Sequence, residues 1–440
     1  MAYNVSCTMT KLNVKTKLGT AYLDDDSAVS RTVQLLITNA VKANATTLHI
    51  EPWENNVGVR YRIDGILRHA NKLPKETLGS IVSRIKLLAK LDIEPQPMPQ
   101  EGQFQINIAS KMYNIVVTIL PVAYGENVVL RIQNQSEKPK TLEKLGFWGP
   151  SLGAIEHILR QNSGLVLVSG PAGSGKSTTL YGILSILNTP GKHISTVQNI
   201  VKYKIPQADQ QQINLKIGTN YTASLKSILR TNPDILMIDY IGEKMTAELC
   251  IQAAKNGKLV FASTHTNETS NCIPWIANLG IEPPMLAISL RAIIGQRLVR
   301  KLCVACKIAT KPKLAELKQI ADYFDIASPT AFSQIHQFVE IFSAKKDANL
   351  PTTETKINKL WRASFGGCNK CNHTGYKGRI GLFEVLENNP GIQRLIIGKS
   401  SNQTIQAEAT KNGMLPLKTD GLIKALCGQT TIAEVMQATK

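Results

Sequence analysis

The residues best suited to chemistry lie in one eight-residue run, Gly170-Pro-Ala-Gly-Ser-Gly175-Lys176-Ser177. It matches G-x-x-x-x-G-K-[ST], follows the apolar run Leu165–Ser169 and precedes TTLYGILSIL, a helical pattern. Glycines there let backbone N–H groups close around a phosphate, and the N-terminus of the following helix adds partial positive charge. Lys176 supplies a point charge for phosphate oxygens, and the Ser177 hydroxyl is a Mg²⁺ ligand. A turn that served packing alone would not require Lys followed by Ser. ATP and Mg²⁺ are therefore expected at Gly170, Gly173, Ser174, Gly175, Lys176, Ser177 and Thr178.

Two further pairs have metal-ligand spacing, Cys303-x-x-Cys306 and Cys368-x-x-Cys371. Four thiolates in two such turns make a closed tetrahedral Zn²⁺ site with no open position for water, so its role is structural. Unliganded thiols or a redox pair are the alternative, and His373 is a competing ligand two residues beyond Cys371. The remaining cysteines, Cys7, Cys250, Cys272 and Cys427, read as packing residues.

These groups need elements to hold them. At 440 residues, 43% hydrophobic and 19% charged, the chain is globular and long enough for two or three domains. Helical spacing runs from about Ser27 to Ala45 behind the acidic start Asp24-Asp25-Asp26. Strands follow at Thr47, Val57, Phe104 and Asn114, interrupted by a helix around Leu78 to Leu91, which makes an α+β domain over 1–133. The polar 134–148 segment reads as a linker. From Gly164 the buried runs GLVLVSG, HISTV, DILMID and KLVFAS alternate with helices, the pattern of a mostly parallel α/β sheet within 149–300. The cysteine pairs mark a region over 301–385 that contains a lysine-rich helical insertion from Lys307 to Phe365, and short helices fill 386–440.

No run approaches the ~18 apolar residues of a membrane span, and the N-terminus lacks a signal-peptide core. A cytoplasmic protein is expected. The net charge of +19 points to a solvated basic surface or to anionic lipid nearby; with 5% aromatics and no arginine-rich run, nucleic acid is the weaker partner.

From the phosphate loop outward the sequence resembles the type II secretion and type IV pilus assembly ATPases. The resemblance is carried by GPAGSGKSTTLYGIL, ATTLHIEP with VRYRIDGIL, PVAYGENVVLRI, SLKSILRTNPDILMI, QRLVRKLCVAC, GCNKCNHTGYKGRIGLFEV and GMLPLKTDGLIKALCGQTTIAEV. It implies a RecA-like P-loop domain after a small α+β domain, a zinc-bearing helical C-terminal region and a homo- or hetero-hexamer. It also implies docking on an inner-membrane platform protein, hence a peripheral membrane location. The cysteine region favours pilus extension or secretion over retraction. It leaves open which of those two processes is served.

The departures are as informative. Where the family has ISTVEDPVEY this chain has ISTVQNIVKY, so Gln198, Asn199 and Lys202 stand for three acids. The family's GEIRD appears as Asp239-Tyr240-Ile241-Gly242-Glu243, with Tyr240 at the catalytic Glu and Gly242 at the Arg. A phenol of pKa near ~10 is a poor base at neutral pH. Gln103 and Val116 stand for phosphate-reaching arginines while Arg131 is retained, and Lys258 replaces a histidine. His265 is the implied γ-phosphate sensor. Three readings follow: a nucleotide-binding pseudo-ATPase that fills or regulates the machine, an active enzyme using Asp239 or Glu243 as a displaced acid, or a decaying gene copy. Impaired hydrolysis is the expectation. Rival classes are a nucleotide-switched scaffold, a zinc-containing nucleic-acid binder and a small-molecule kinase.

Overall fold

The computed structural model describes residues 27–134, 138–213, 219–326, 357 and 359–440. They cluster into two compact units that meet in sequence at Lys138 and Pro139, each described here by itself.

In the first unit, strands β1 (Thr47–Pro52), β2 (Asn56–Ile63), β3 (Ile66–Pro74), β4 (Gln100–Ile108), β5 (Lys111–Val122) and β6 (Gly125–Asn134) form one sheet in the order β3-β2-β1-β6-β5-β4. Every neighbouring pair is antiparallel. Alternate residues such as Leu48, Ile50, Val117, Ile119, Val128 and Leu130 are buried with Ile37, Ile81 and Ile85 of the helices Ala28–Lys42 and Thr77–Ala89. The period-2 pattern of the strands thus meets the helical stripes in a single core. Asp24 to Asp26 lie outside the described residues; the first helix is capped by Ser27, whose Oγ accepts from Ser30 N at 3.3 Å.

The second unit contains the parallel sheet. Its strands are β7 (Gly164–Ser169), β8 (Ile194–Gln198), β9 (Asp209–Gln212), β10 (Ile235–Ile238), β11 (Leu259–Thr264), β12 (Leu290–Leu302) and, beyond a small hairpin, β15 (Tyr376–Glu387). The order is β15-β12-β7-β11-β10-β8-β9, parallel except where β12 meets β15. Both faces are covered, and successive residues divide between them. Leu165, Leu167, Leu236, Ile238, Val260 and Ala262 enter one cluster, while Val166, Val168, Ile235, Met237, Leu259 and Phe261 enter the other. That is why these strands read as unbroken apolar runs.

Two sequence divisions dissolve in this unit. Residues 139–148 of the expected linker are built into it: Leu142, Phe147 and Trp148 are buried, and Phe147 stacks on Phe383 at 3.5 Å between centroids. Three large apolar side chains outweigh the lysines that make the segment look polar. Strand β15, from the expected cysteine region, completes the sheet that carries the phosphate loop. The flanks of the lysine-rich insertion form the hairpin β13 (Ile308–Thr310) and β14 (Leu360–Arg362) and the helix Leu314–Phe324; most of the intervening insertion lies outside the described residues. Four helices close the chain, Pro390–Ile397, Asn402–Lys411, Leu417–Leu426 and Ile432–Ala438. They are tied down by a fully buried pair: Lys424 Nζ donates to Asp420 Oδ2 at 2.6 Å, and Trp148 Nε1 donates to Asp420 Oδ1 at 2.6 Å.

Candidate nucleotide site and cysteine cluster

Ligands of open α/β sheets bind beyond the carboxyl ends of the parallel strands, and the sequence-predicted residues converge there. β7 runs into Gly170, β8 ends at Gln198, β10 is followed by Asp239 and Tyr240, and β11 by His265. The helix Lys176–Leu187 begins directly from the loop, with Gly175 in left-handed backbone (φ 94°) at its start. Gly170 also has positive φ, and a Cβ on it would meet Gln296 O at 2.5 Å and Ser174 Oγ at 2.6 Å. The cradle therefore admits only glycine at that point. Ser174 Oγ is buried without a hydrogen-bond partner, which fits an acceptor arriving from outside the chain.

Lys176 Nζ donates to Gly170 O at 2.6 Å and Pro171 O at 3.0 Å and lies 3.1 Å from His265 Nδ1. Burial, with the nearby cations Lys202 and Arg297, pulls its pKa down to about 8. His265 is held below the usual histidine range by partial burial and by Lys176. Two residues unmarked by sequence reading complete the loop's support. Gln296 Nε2 donates to Ser174 O at 2.8 Å and its Oε1 accepts from Thr179 Oγ1 at 2.7 Å, while Arg297 bonds Asn267 O at 2.5 Å. Both lie in QRLVRK, a segment whose basic pattern was the available signal.

The polar groups expected around Mg²⁺ are arranged otherwise. Lys202 Nζ donates to Ser177 Oγ at 3.1 Å. Gln198 is buried and uses its whole amide internally: Nε2 donates to Tyr181 Oη at 2.7 Å, and Oε1 accepts from Thr196 Oγ1 at 2.9 Å. Tyr181 Oη also accepts the Lys202 backbone N–H at 3.1 Å. Asp239 receives Tyr221 Oη on Oδ1 at 2.5 Å and Asn199 N on Oδ2 at 2.7 Å. Burial raises its pKa against the opposing effect of those two bonds. Mg²⁺ needs several oxygen ligands at about 2.0–2.1 Å. An ammonium about 4 Å from the ion would oppose it by about 8 kcal/mol at an effective dielectric of 20. This donor set does not fit Mg²⁺.

The remaining candidates are placed as follows. Tyr240 lies beside His265, ring centroids 4.7 Å apart. A Cβ on Gly242 would meet Tyr240 Cε1 at 2.4 Å, so the phenol lies over the glycine and two departures from the motif form one packing unit. Glu243 is exposed and its Oε1 accepts from Thr222 Oγ1 at 2.5 Å and Thr246 Oγ1 at 3.1 Å. In the first unit Gln103, Val116 and Arg131 are direct cross-strand partners on β4, β5 and β6, one row on one sheet face.

At the far end of β12, Cys303, Cys306, Cys368 and Cys371 bring their Sγ atoms within 4.8 Å of one another. Three of the separations are 3.8 Å. A Zn–S bond of ~2.3 Å implies a tetrahedron of edge about 3.8 Å, so the thiols fit Zn²⁺. Burial, which alone raises the Cys371 thiol, is outweighed by N–H donors from Cys368 and Gly375, both 3.2 Å from Sγ, and its pKa falls to about 6. His373 stands apart from these ligands, its Nδ1 donating to Gly366 O at 3.1 Å.

Against known proteins, the chain matches the family model Type II/IV secretion system protein over residues 22–437. It is 36% identical over 413 residues to the type IV pilus assembly ATPase PilB of Myxococcus xanthus, covering 94% of this chain and 68% of that one. It is 32% identical to type II secretion system protein E of Aeromonas hydrophila, with 95% and 77% covered. Among solved structures, the ATPase DotB of Legionella pneumophila superposes with TM-score 0.63 at 14% identity, covering 94% of this chain and 97% of that one. The ADP-bound pilus retraction motor PilT gives 0.53 at 18%, covering 89% and 96%. At such identities the structures speak to fold alone, a RecA-like one. Among the described residues no helix is long and apolar enough to cross a membrane.

Proposed function

The chain belongs to the type II/IV secretion system protein family, and on that premise we propose that it is a nucleotide-binding subunit of a pilus-assembly or type II secretion motor, with impaired hydrolysis. The observation that carries this reading is the pairing of Tyr240 with Gly242 at the tip of β10, where the family motif expects Glu and Arg. A phenol packed over glycine and beside His265 puts no carboxylate where the motif's base would stand. Asp239 is engaged by Tyr221 and Asn199, and Glu243 by two threonines. Lys176, the loop N–H groups and Ser174 support ATP binding, with His265 as the group facing the terminal phosphate. Cys303, Cys306, Cys368 and Cys371 would hold Zn²⁺, which cross-links two chain segments. In this reading the chain works in the cytoplasm against the inner membrane, in a hexamer docked on a platform protein.

The displaced-acid alternative has one observation in its favour, the burial that raises Asp239 toward a useful base. Steady-state hydrolysis measured beside ATP binding separates the two. The proposal expects ATP binding with turnover no higher than that of Lys176→Ala, and a gain of about 10²-fold in Tyr240→Glu/Gly242→Arg. Ready turnover by wild type, stopped by Asp239→Asn, overturns it.

A further inference from the structure

We propose that the Lys202 ammonium is a built-in counter-cation, so that this site binds a nucleoside di- or triphosphate without Mg²⁺. The inference rests on the nucleotide-binding reading above and concerns the same loop. In a phosphate loop of this type the hydroxyl after the lysine holds the metal that bridges the phosphate oxygens. Here that hydroxyl, Ser177 Oγ, accepts a hydrogen bond from Lys202 Nζ at 3.1 Å.

The position of Lys202 is built rather than incidental. Its backbone N–H is anchored on Tyr181 Oη at 3.1 Å, and Tyr181 is fully buried within the helix that starts at Lys176. Gln198, buried at the end of β8, anchors the same hydroxyl from the other side at 2.7 Å. The chain therefore leaves the sheet at Gln198, turns, and delivers the Lys202 side chain back to the loop's serine.

Charge points the same way. Lys202 and Arg297 each act on the Lys176 ammonium and disfavour a further positive charge beside it. Asp239, the carboxylate at the tip of β10, is within electrostatic reach of Lys202, with its oxygens bonded to Tyr221 and Asn199. A tri- or tetra-anionic ligand satisfies this constellation; a divalent cation does not. An ammonium supplies charge neutralisation and hydrogen bonds to phosphate as Mg²⁺ does. It supplies no inner-sphere polarisation of the γ-phosphate, which accords with binding in the absence of efficient turnover.

The test is ATP binding to the full chain by calorimetry, once in EDTA and once in millimolar Mg²⁺, for wild type, Lys202→Met and Lys202→Glu. Wild type is expected to bind with Kd values that agree within about threefold in the two buffers. Lys202→Met should lose about tenfold or more in EDTA, and Lys202→Glu should bind only when Mg²⁺ is present. Melting curves that match wild type show that the variants are folded, as expected for a side chain whose backbone anchor is untouched. Wild-type binding that needs Mg²⁺ overturns this inference and leaves the nucleotide reading standing. Metal-independent binding that survives both substitutions also overturns it, because the cation would then lie elsewhere. Absence of binding by folded wild type in either buffer overturns both readings.

Discussion

The cysteine cluster and the phosphate loop are both made by short turns at strand ends in one sheet, the cluster after β12 and before β15, the loop after β7. The cluster is complete in the terms of its own motif: four thiols, three separations of 3.8 Å, and backbone N–H groups supporting the Cys371 sulfur. The loop has its glycines, lysine and serine, yet its surroundings carry an ammonium, a phenol and two amides. The difference teaches where each site's chemistry resides. A four-thiolate site is self-sufficient, since all its ligands lie in its two CxxC turns. A nucleotide site takes phosphate contacts from one loop and its catalytic charge from the tips of three other strands. The second kind can lose turnover while its binding scaffold remains intact.

The largest effect should come from breaking the self-sufficient site. Cys303→Ser/Cys368→Ser is expected to release one equivalent of zinc and to unfold the region around β15 and the last helices, structural Zn²⁺ contributing about 10–16 kcal/mol. Metal analysis with limited proteolysis checks it, and full metal content in the double variant refutes the four-thiolate assignment. At the loop the expected loss is smaller and confined to ligand. Lys176→Ala should weaken ATP binding by about 3 kcal/mol, roughly a hundredfold in Kd, with little change in melting temperature. An unchanged Kd removes the loop from the site.

The smallest effect is a proton. Lys176 titrates near 8, low for a lysine because of burial and two neighbouring cations. Polyphosphate favours the ammonium and raises that pKa, so binding near pH 8 should take up about half a proton, falling toward zero about two units below. Calorimetry in buffers of different ionisation enthalpy measures the uptake. Lys176→Arg, charged throughout, should show none. Wild type without uptake would mean that Lys176 stays protonated in the free protein.

Much of this was legible from residues alone, and in particular places. The P-loop, the two CxxC turns and the alternating runs of β7, β10 and β11 are local patterns, each encoded within about ten consecutive residues. The substitutions Gln198, Lys202, Tyr240 and Gly242 were visible by comparison with a known pattern, but only as missing charge. Gln296 and Arg297 open the quoted run QRLVRKLCVAC, but their place at the loop is not legible there, because it depends on β12 lying beside β7 across more than a hundred residues of sequence. The segment 139–148 reads as polar for a related reason: Lys140, Glu143 and Lys144 are visible in the local sequence, whereas the partners of Phe147 and Trp148 are Phe383 and Asp420.

By itself, then, the sequence determined the class of fold, the glycine-rich loop motif and the two CxxC turns, because backbone conformation and side-chain identity over a short window suffice for each. Only the tertiary structure decided that Lys202 meets Ser177, that Tyr240 lies over Gly242, and that β15 shares a sheet with the loop. Those are contacts between separate strand ends or turns, and electrostatics at a few ångströms depends on positions that no local pattern specifies.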